Sequence, residues 1–117
     1  MKNVVLSFVL FGILSGQTGK ISGLITASET NQPLIGVSVV VEGAGIGADS
    51  DQEGRYVILN IPVGEYSLRT SYIGYASVKV TNLQVSSGMT TEQDFVLSQE
   101  AIAGEEVVVL ADRPLIY

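Results

Sequence analysis

The stretch 65–72, with the sequence EYSLRTSY, decides the fold class of this chain. Its even-numbered residues are aromatic, aliphatic or β-branched, whereas its odd-numbered residues are polar or charged. Successive side chains of a β-strand point to opposite faces, so this alternation predicts a strand with one buried and one exposed face. A helix would instead repeat its apolar residues every three or four positions.

The same two-residue period recurs on both sides of this stretch. Residues that favour turns separate the alternating segments roughly every eight to twelve positions, and no segment has the pattern of a helix. About seven short strands with such spacing are typical of an all-β sandwich or barrel. The six further predicted strands are residues 20–26, 37–41, 55–59, 76–80, 83–85 and 89–97. The aromatic residues predicted for the core are Tyr56, Tyr66, Tyr72 and Phe95.

Composition limits the chemistry that the chain can perform. The 117 residues include no Cys and no His, which excludes disulfides, thiol nucleophiles, imidazole bases and the usual zinc ligands. Twelve acidic residues against six basic ones give a net charge of −6, which repels a phosphate backbone. We therefore expect a protein that is not an enzyme, holds no metal or cofactor and does not bind nucleic acid.

The N-terminal segment has the pattern of a secretory signal peptide. Lys2 supplies a positive start, residues 4–14 are mostly apolar, and small polar residues follow. A membrane-spanning helix would need about 20 apolar residues, which is longer than this segment. The sequence thus predicts a signal peptide at residues 1–16, a β-sandwich domain at 17–98 and a linker with a tail at 99–117.

Three smaller patterns have a structural and a functional interpretation. Residues 49–54 carry acidic side chains at the spacing of a calcium loop, but Asn60 stands where the loop needs its last Glu, so we favour a hairpin turn. The three glycines at 43–47 lack a following helix, which argues against a phosphate site. Tyr72 and Tyr75 could form an aromatic patch for sugar or protein, although we expect Tyr72 to point inward and Tyr75 to cover an edge.

Five short motifs occur in the order of a known module. The motifs are GKISG at 19–23, QPLIGVSV at 32–39, DQEGRY at 51–56, PVGEYSL at 62–68 and YIGY at 72–75. Residues 19–98 therefore resemble the carboxypeptidase-like regulatory domain. The resemblance implies a seven-stranded, Greek-key, transthyretin-like β-sandwich. In metallocarboxypeptidases this domain accompanies a separate zinc enzyme and is not itself catalytic.

The tail, residues 105–114, carries a second resemblance. An acidic start, an aliphatic run and a segment that ends in Pro114 are similar to the TonB-box region of TonB-dependent outer-membrane receptors, with Leu110 where Thr is usual. The resemblance implies an exported module at the periplasmic face of the outer membrane of a Gram-negative bacterium, followed by a plug and a barrel in a longer receptor. Its partner would be a TonB-like energising protein, bound by β-strand addition. The implied partner-binding residues are Glu106, Val107, Val108, Val109, Leu110 and Ala111.

Two alternatives remain open from the sequence. The tail could instead be the last strand of the sandwich, or an apolar linker. The whole chain could be a free-standing secreted sandwich that binds carbohydrate or supports a neighbouring domain. In the extended tail, Val107, Val109 and Ala111 would share one face.

Overall fold

The computed structural model of the chain describes residues 17–100 and 104–111. The predicted signal peptide, residues 1–16, and the end of the predicted tail, residues 112–117, lie outside the described residues. All regular elements within the described ranges are strands. In those ranges no helix has the length and apolar character needed to cross a bilayer.

The described residues form nine β-strands. In chain order they are β1 (Thr18–Ala27), β2 (Ser38–Glu42), β3 (Ile46–Asp49), β4 (Arg55–Pro62), β5 (Gly64–Ser71), β6 (Ser77–Val85), β7 (Thr90–Glu92), β8 (Phe95–Leu97) and β9 (Glu106–Leu110). The strand predicted from the stretch 65–72 is β5. It lies at the centre of the larger sheet.

The strands form two sheets packed face to face. One sheet has the order β3-β2-β5-β6-β9, and the other has the order β4-β1-β7 with β8 also paired to β1. Because β7 and β8 follow one another along the same edge of β1, the smaller sheet is only three strands wide. The predicted all-β sandwich is confirmed, with a five-strand-wide sheet facing a narrower one.

The strand count is nine rather than the predicted seven, and β3 is the first difference. The sequence predicts no strand between residues 41 and 55, because the three glycines at 43–47 favour a turn. In the structure Gly47 lies opposite Val40 of β2. A Cβ atom on Gly47 would lie 2.4 Å from the carbonyl oxygen of Val39, so the glycine permits close pairing of the two strands.

Irregular backbone accounts for two more differences. Asn82 lies between the predicted strands 76–80 and 83–85 and has a φ of 62°. It nevertheless remains within β6, where the pairing with β5 shifts register, so the two predicted strands are one strand. Conversely, the predicted strand 89–97 is divided into β7 and β8. Between them Gln93 donates its N–H to the Ser22 carbonyl, and the Asp94 carboxylate accepts the N–H of Leu24.

The final difference is β9, which adds to the sandwich a strand that we did not count. Five residues of the predicted tail, Glu106–Leu110, pair with β6. The tail is therefore the last strand of the sandwich in this structure, which was one of the alternatives left open from the sequence.

The core lies between the sheets and consists of the inward faces of β1, β2, β4, β5, β6 and β8. Of the four predicted aromatic residues, Tyr56 and Phe95 are buried, with ring centroids 6.0 Å apart. Tyr66 and Tyr72 are half-buried and pack against the margin of the core. The Tyr66 hydroxyl donates to the Pro62 carbonyl at 2.7 Å, which keeps its polar end near the surface.

Candidate functional site

The tail strand β9 forms one edge of the five-stranded sheet. It runs parallel to β6, with Glu106 opposite Ser77 and Leu110 opposite Thr81. No strand in the described part of the chain pairs with its other side. The candidate partner-binding segment therefore has one occupied edge and one open edge.

Two backbone hydrogen bonds fix which groups of β9 face β6. The Ser77 N–H donates to the Glu105 carbonyl at 3.1 Å, and the Ala111 N–H donates to the Thr81 carbonyl at 2.8 Å. In a parallel ladder, alternate residues of a strand bond to one neighbour and the intervening residues face away. The backbone N–H and C=O groups of the odd-numbered residues in 105–111 thus point towards β6. The backbone N–H and C=O groups of residues 106, 108 and 110 point towards the open edge.

The side chains of β9 divide between the two faces of the sheet. Val107 lies opposite Val78 and Val109 opposite Val80, so these valines continue the inward face of β6. Ala111 is half-buried and also packs against the core. Val107, Val109 and Ala111 therefore share one face, as the alternation predicts. Glu106, Val108 and Leu110 share the outward face.

An apolar groove lies beside the inward face of β9. The larger sheet is five strands wide and the smaller sheet three, so β9 extends beyond the cover of β8. Val107 and Val109 consequently remain 46% and 43% exposed. The groove has a volume of about 250 Å³. Its lining residues are, besides these two valines, Ala76, Val78, Val80, Gln93, Asp94, Phe95, Val96 and Ser98.

A chain of ion pairs crosses the outward face of the sheet and reaches β9. Arg69 of β5 lies between two carboxylates, with its Nε 2.9 Å from Oε2 of Glu42 and its Nη2 3.1 Å from Oε2 of Glu106. Lys79 of β6 lies 3.2 Å from the other Glu42 oxygen. The Nε–H of Arg69 makes no hydrogen bond, so its contact with Glu42 is an ion pair only. These side chains are 28–42% exposed, and such pairs contribute about 0–1 kcal/mol each.

This ion-pair chain was not predicted from the sequence. Lys79, Arg69 and Glu42 each occupy a polar position of an alternating strand, which indicated only a solvated face. Their contact depends on the order of β2, β5, β6 and β9 in the sheet. Local sequence does not specify that order.

Residues 49–54, predicted as a hairpin turn, instead connect β3 of the larger sheet to β4 of the smaller sheet, because β3 pairs with β2 and β4 pairs with β1. This connecting turn is built around Asp51. The Asp51 carboxylate accepts the N–H groups of Glu53 and Arg55 at 2.9 and 3.0 Å, and the Gly54 N–H donates to the Asp51 carbonyl. The aspartate is therefore occupied in holding the turn that leads into β4. In the two described ranges, no group of three or more acidic residues is arranged to hold a metal ion.

Tyr72 and Tyr75 pack on one another at the end of β5. Their ring centroids are 5.4 Å apart with an interplanar angle of 45°, and both rings are half-buried against the core. Tyr72 thus lies against the core as predicted, and Tyr75 makes a bridge with Gln99 at the edge. Much of each ring is covered by the protein itself, which limits the flat surface available to a sugar.

Within residues 17–100 and 104–111, Tyr56 is the titratable group whose pKa departs most from its ordinary value. Burial in the core raises the pKa of its hydroxyl, and the Asp94 and Glu92 carboxylates raise that pKa further. The hydroxyl donates to the Gln93 carbonyl between β7 and β8. Tyr56 therefore remains neutral and links the core to the strand next to the groove; its contacts are structural.

Comparison with solved structures agrees with the sandwich architecture. The fold is similar to a chain of a type II cohesin–X-dockerin complex from Acetivibrio cellulolyticus, with a TM-score of 0.61 and 21% identity over 74% of this chain and 62% of that chain. It is also similar to GBS52, the minor pilin of Streptococcus agalactiae, with a TM-score of 0.55 and 19% identity over 74% of this chain and 46% of that one. At these identities the likeness shows the fold alone.

The fold and the site define a small β-sandwich module that ends in an open-edged strand. The family model of the CarboxypepD_reg-like domain matches residues 21–109, a range that includes most of β9. The chain belongs to this family, which confirms the resemblance drawn from the five motifs.

A receptor is among the relatives of the chain. TonB-dependent receptor P3 of Formosa agariphila is 30% identical over 112 residues. The match covers 94% of this chain and 11% of the receptor, so the chain spans a small part of that protein's length. This similarity confirms the predicted relationship of the chain to TonB-dependent receptors, and the TonB-box residues of the tail stay a prediction.

Proposed function

We propose that this chain is a non-catalytic N-terminal module of a TonB-dependent outer-membrane receptor, exposed at the periplasmic face. A plug and a barrel would belong to the same receptor, as the much greater length of the Formosa relative suggests. The tail strand would bind a TonB-like energising protein by strand addition, through residues Glu106 to Ala111. The proposal rests on one observation above all, the open edge of β9.

Three features of β9 suit it to strand addition. The backbone is already extended, so less conformational entropy is lost on pairing than for a disordered peptide. Val107, Val108 and Val109 are β-branched and favour this conformation. All five residues of β9 are exposed, which leaves the strand accessible to a partner.

The test is binding of the chain to the purified C-terminal domain of a TonB-family energising protein. The double variant Val108→Pro/Val109→Pro removes one backbone donor from each edge of β9, so it blocks strand addition at either edge. We expect its affinity to fall about tenfold or more, since a lost backbone hydrogen bond and its distorted neighbours cost at least about 1.4 kcal/mol.

The matched control is Val108→Ile/Val109→Ile, which keeps both donors, the branched shape and the apolar character. It should bind as the wild type does. If the proline variant bound as tightly as the isoleucine variant, strand addition would be refuted. If the wild type failed to bind, the proposed partner would be wrong.

A further inference from the structure

The open edge of β9 lies beside the apolar groove. Together they form one surface, the β9 margin, which consists of residues 106–110 and the groove-lining residues. We propose that a partner strand binds the β9 margin while β9 stays paired with β6, adding a sixth strand to the larger sheet and closing the groove. The identity of the partner as the energising protein rests on the proposed function; the mode of binding is inferred from this structure.

Backbone geometry allows both pairings at once. The bonds of Glu105 and Ala111 to β6 use the groups of the odd-numbered residues. A strand that adds at the open edge would bond to residues 106, 108 and 110, whose groups point the other way. The two neighbours therefore do not compete for the same donors and acceptors, and β9 need not be released.

The side chains favour an occupant with an apolar inward face. A strand added beside β9 lies about 4.8 Å away, and its alternate side chains fall on the same face as Val107 and Val109. Those side chains would cover both valines and form the missing wall of the groove opposite Phe95 and Val96. Removal of this apolar surface from water drives the association.

Charge indicates which kind of strand would be bound. Among the described residues that line the groove, Asp94 alone carries a charge. The nearest cations on the outward face, Arg69 and Lys79, are already engaged by Glu42 and Glu106. With a net charge of −6 for the whole chain, the surface suits a strand that alternates aliphatic with basic side chains.

A disulfide lock tests whether β9 stays in place. Thr81 and Leu110 are direct neighbours across β6 and β9 on the outward face, at a separation that a disulfide can span. The chain has no native cysteine, so Thr81→Cys/Leu110→Cys forms a single defined cross-link. The probe is a cysteine-free C-terminal domain of a TonB-family energising protein, and the control is the same variant in reductant.

We expect the oxidised and reduced forms to bind the probe with affinities within about twofold. Binding by the reduced form and not by the oxidised form would show that β9 must be released, which overturns the inference and leaves the proposed function intact. Failure of the wild type to bind would overturn both. A dimer of the chain that forms through this edge and excludes the probe would assign the edge to a second copy and also overturn the inference.

Hydrogen exchange of the complex supplies a second measurement that needs no variant. Binding at the β9 margin should slow exchange of the amides of Glu106, Val108 and Leu110, while the amides of Ser77 and Ala111 keep their protection. Loss of protection at Ser77 and Ala111 would show that the partner has displaced β6.

A matched pair of substitutions tests the groove. Val109→Thr places a hydroxyl on the inward face of β9 at constant shape, and Val40→Thr makes the same change on the outward face of β2, at a 40% exposed position outside the β9 margin. We expect the first to weaken binding of the probe about fivefold and the second to leave it nearly unchanged, because only Val109 borders the groove. Equal effects of the two changes would contradict a role for the groove.

Discussion

Two strands of this sandwich have almost the same composition and opposite environments. β2 has the sequence SVVVE and β9 has the sequence EVVVL. In β2 the inward valines, Val39 and Val41, are 0% exposed, whereas their counterparts in β9, Val107 and Val109, are more than 40% exposed. Three consecutive valines favour a strand in both places, but they do not determine how deeply it is buried.

The difference arises from the neighbours of each strand. β2 pairs with β3 on one side and β5 on the other, and its inward face lies over the smaller sheet. β9 pairs with β6 alone and lies beyond the margin of the smaller sheet. The same residues therefore stabilise the fold in β2 and leave an accessible edge in β9.

The largest expected effect comes from a charge placed on each inward face. Val39→Asp should prevent folding, since a buried, unpaired carboxylate costs several kcal/mol and the whole domain has about 5–15 kcal/mol of stability. Val107→Asp should leave the domain folded, because the carboxylate reaches water. Circular dichroism spectra and urea unfolding measure both variants. Comparable loss of structure in the two would mean that β9 is as integral to the core as β2.

A milder pair of substitutions measures the same contrast as a free energy. Val41→Ala deletes two buried methyl groups and leaves a cavity, so the free energy of unfolding should fall by about 2–3 kcal/mol. Val109→Ala removes a half-exposed side chain and should cost less than about 1 kcal/mol. Urea titrations at constant pH give both values. The proposed difference between β2 and β9 would be contradicted if the two decreases in the free energy of unfolding differed by less than the error of extrapolation to zero urea.

The fold was predictable to the extent that one face of each strand is buried. Burial of one face imposes the two-residue period, and that period revealed the strand at 65–72 and its neighbours in the core. The two-residue period did not reveal β3, because Gly47 interrupts the alternation. It also did not reveal that β6 continues through Asn82, because a turn-forming residue there makes a bulge within the strand. In both places the pairing partner, rather than the local sequence, determines the conformation.

The candidate site was predictable only in part. Extended backbone and a shared face for Val107 and Val109 follow from the tail sequence alone. The parallel pairing with β6, the groove and the contact of Arg69 with Glu106 do not, because each depends on strand order and on the unequal widths of the two sheets. The sequence therefore indicated which residues to examine but not which of their edges is open.

Unfolding at alkaline pH measures the stability of the core that covers the inward face of β2, and it does not depend on β9. Because burial raises the pKa of Tyr56 above its ordinary value of 10.0, the folded state keeps the hydroxyl protonated while the unfolded state releases its proton above about pH 10. The stabilising contribution is complete below that pH and is lost as the pH rises towards the folded-state pKa. Between about pH 10 and pH 11 the wild type should lose about 1 kcal/mol.

The control for this measurement is Tyr56→Phe, which removes the titrating hydroxyl together with its hydrogen bond to Gln93. The two proteins differ only at residue 56, so the difference in slope isolates Tyr56. Parallel stability curves for the two proteins over this range would show that Tyr56 ionises normally in the folded state.

The smallest expected effect concerns the arginine that the two strands share. Arg69 contacts Glu42 at the end of β2 and Glu106 at the start of β9. Glu106→Gln should leave global unfolding almost unchanged but increase local opening of β9, by a few tenths of a kcal/mol, since exposed ion pairs are weak. Exchange of the Ala111 amide, which bonds to Thr81, reports that opening.

Glu42→Gln is the matched change on the other strand, and it separates the two roles of the ion pairs. Glu42 contacts both Arg69 and Lys79. Because β2 is paired with a strand on each side, loss of the Glu42 charge should lower the global free energy of unfolding slightly without opening β2 locally. High salt should shrink both effects, because about 1 M salt screens exposed charges within a few ångströms. If Glu106→Gln did not change exchange at Ala111 in low salt, backbone pairing with β6 alone would hold β9, and the ion pair would contribute nothing to its docking.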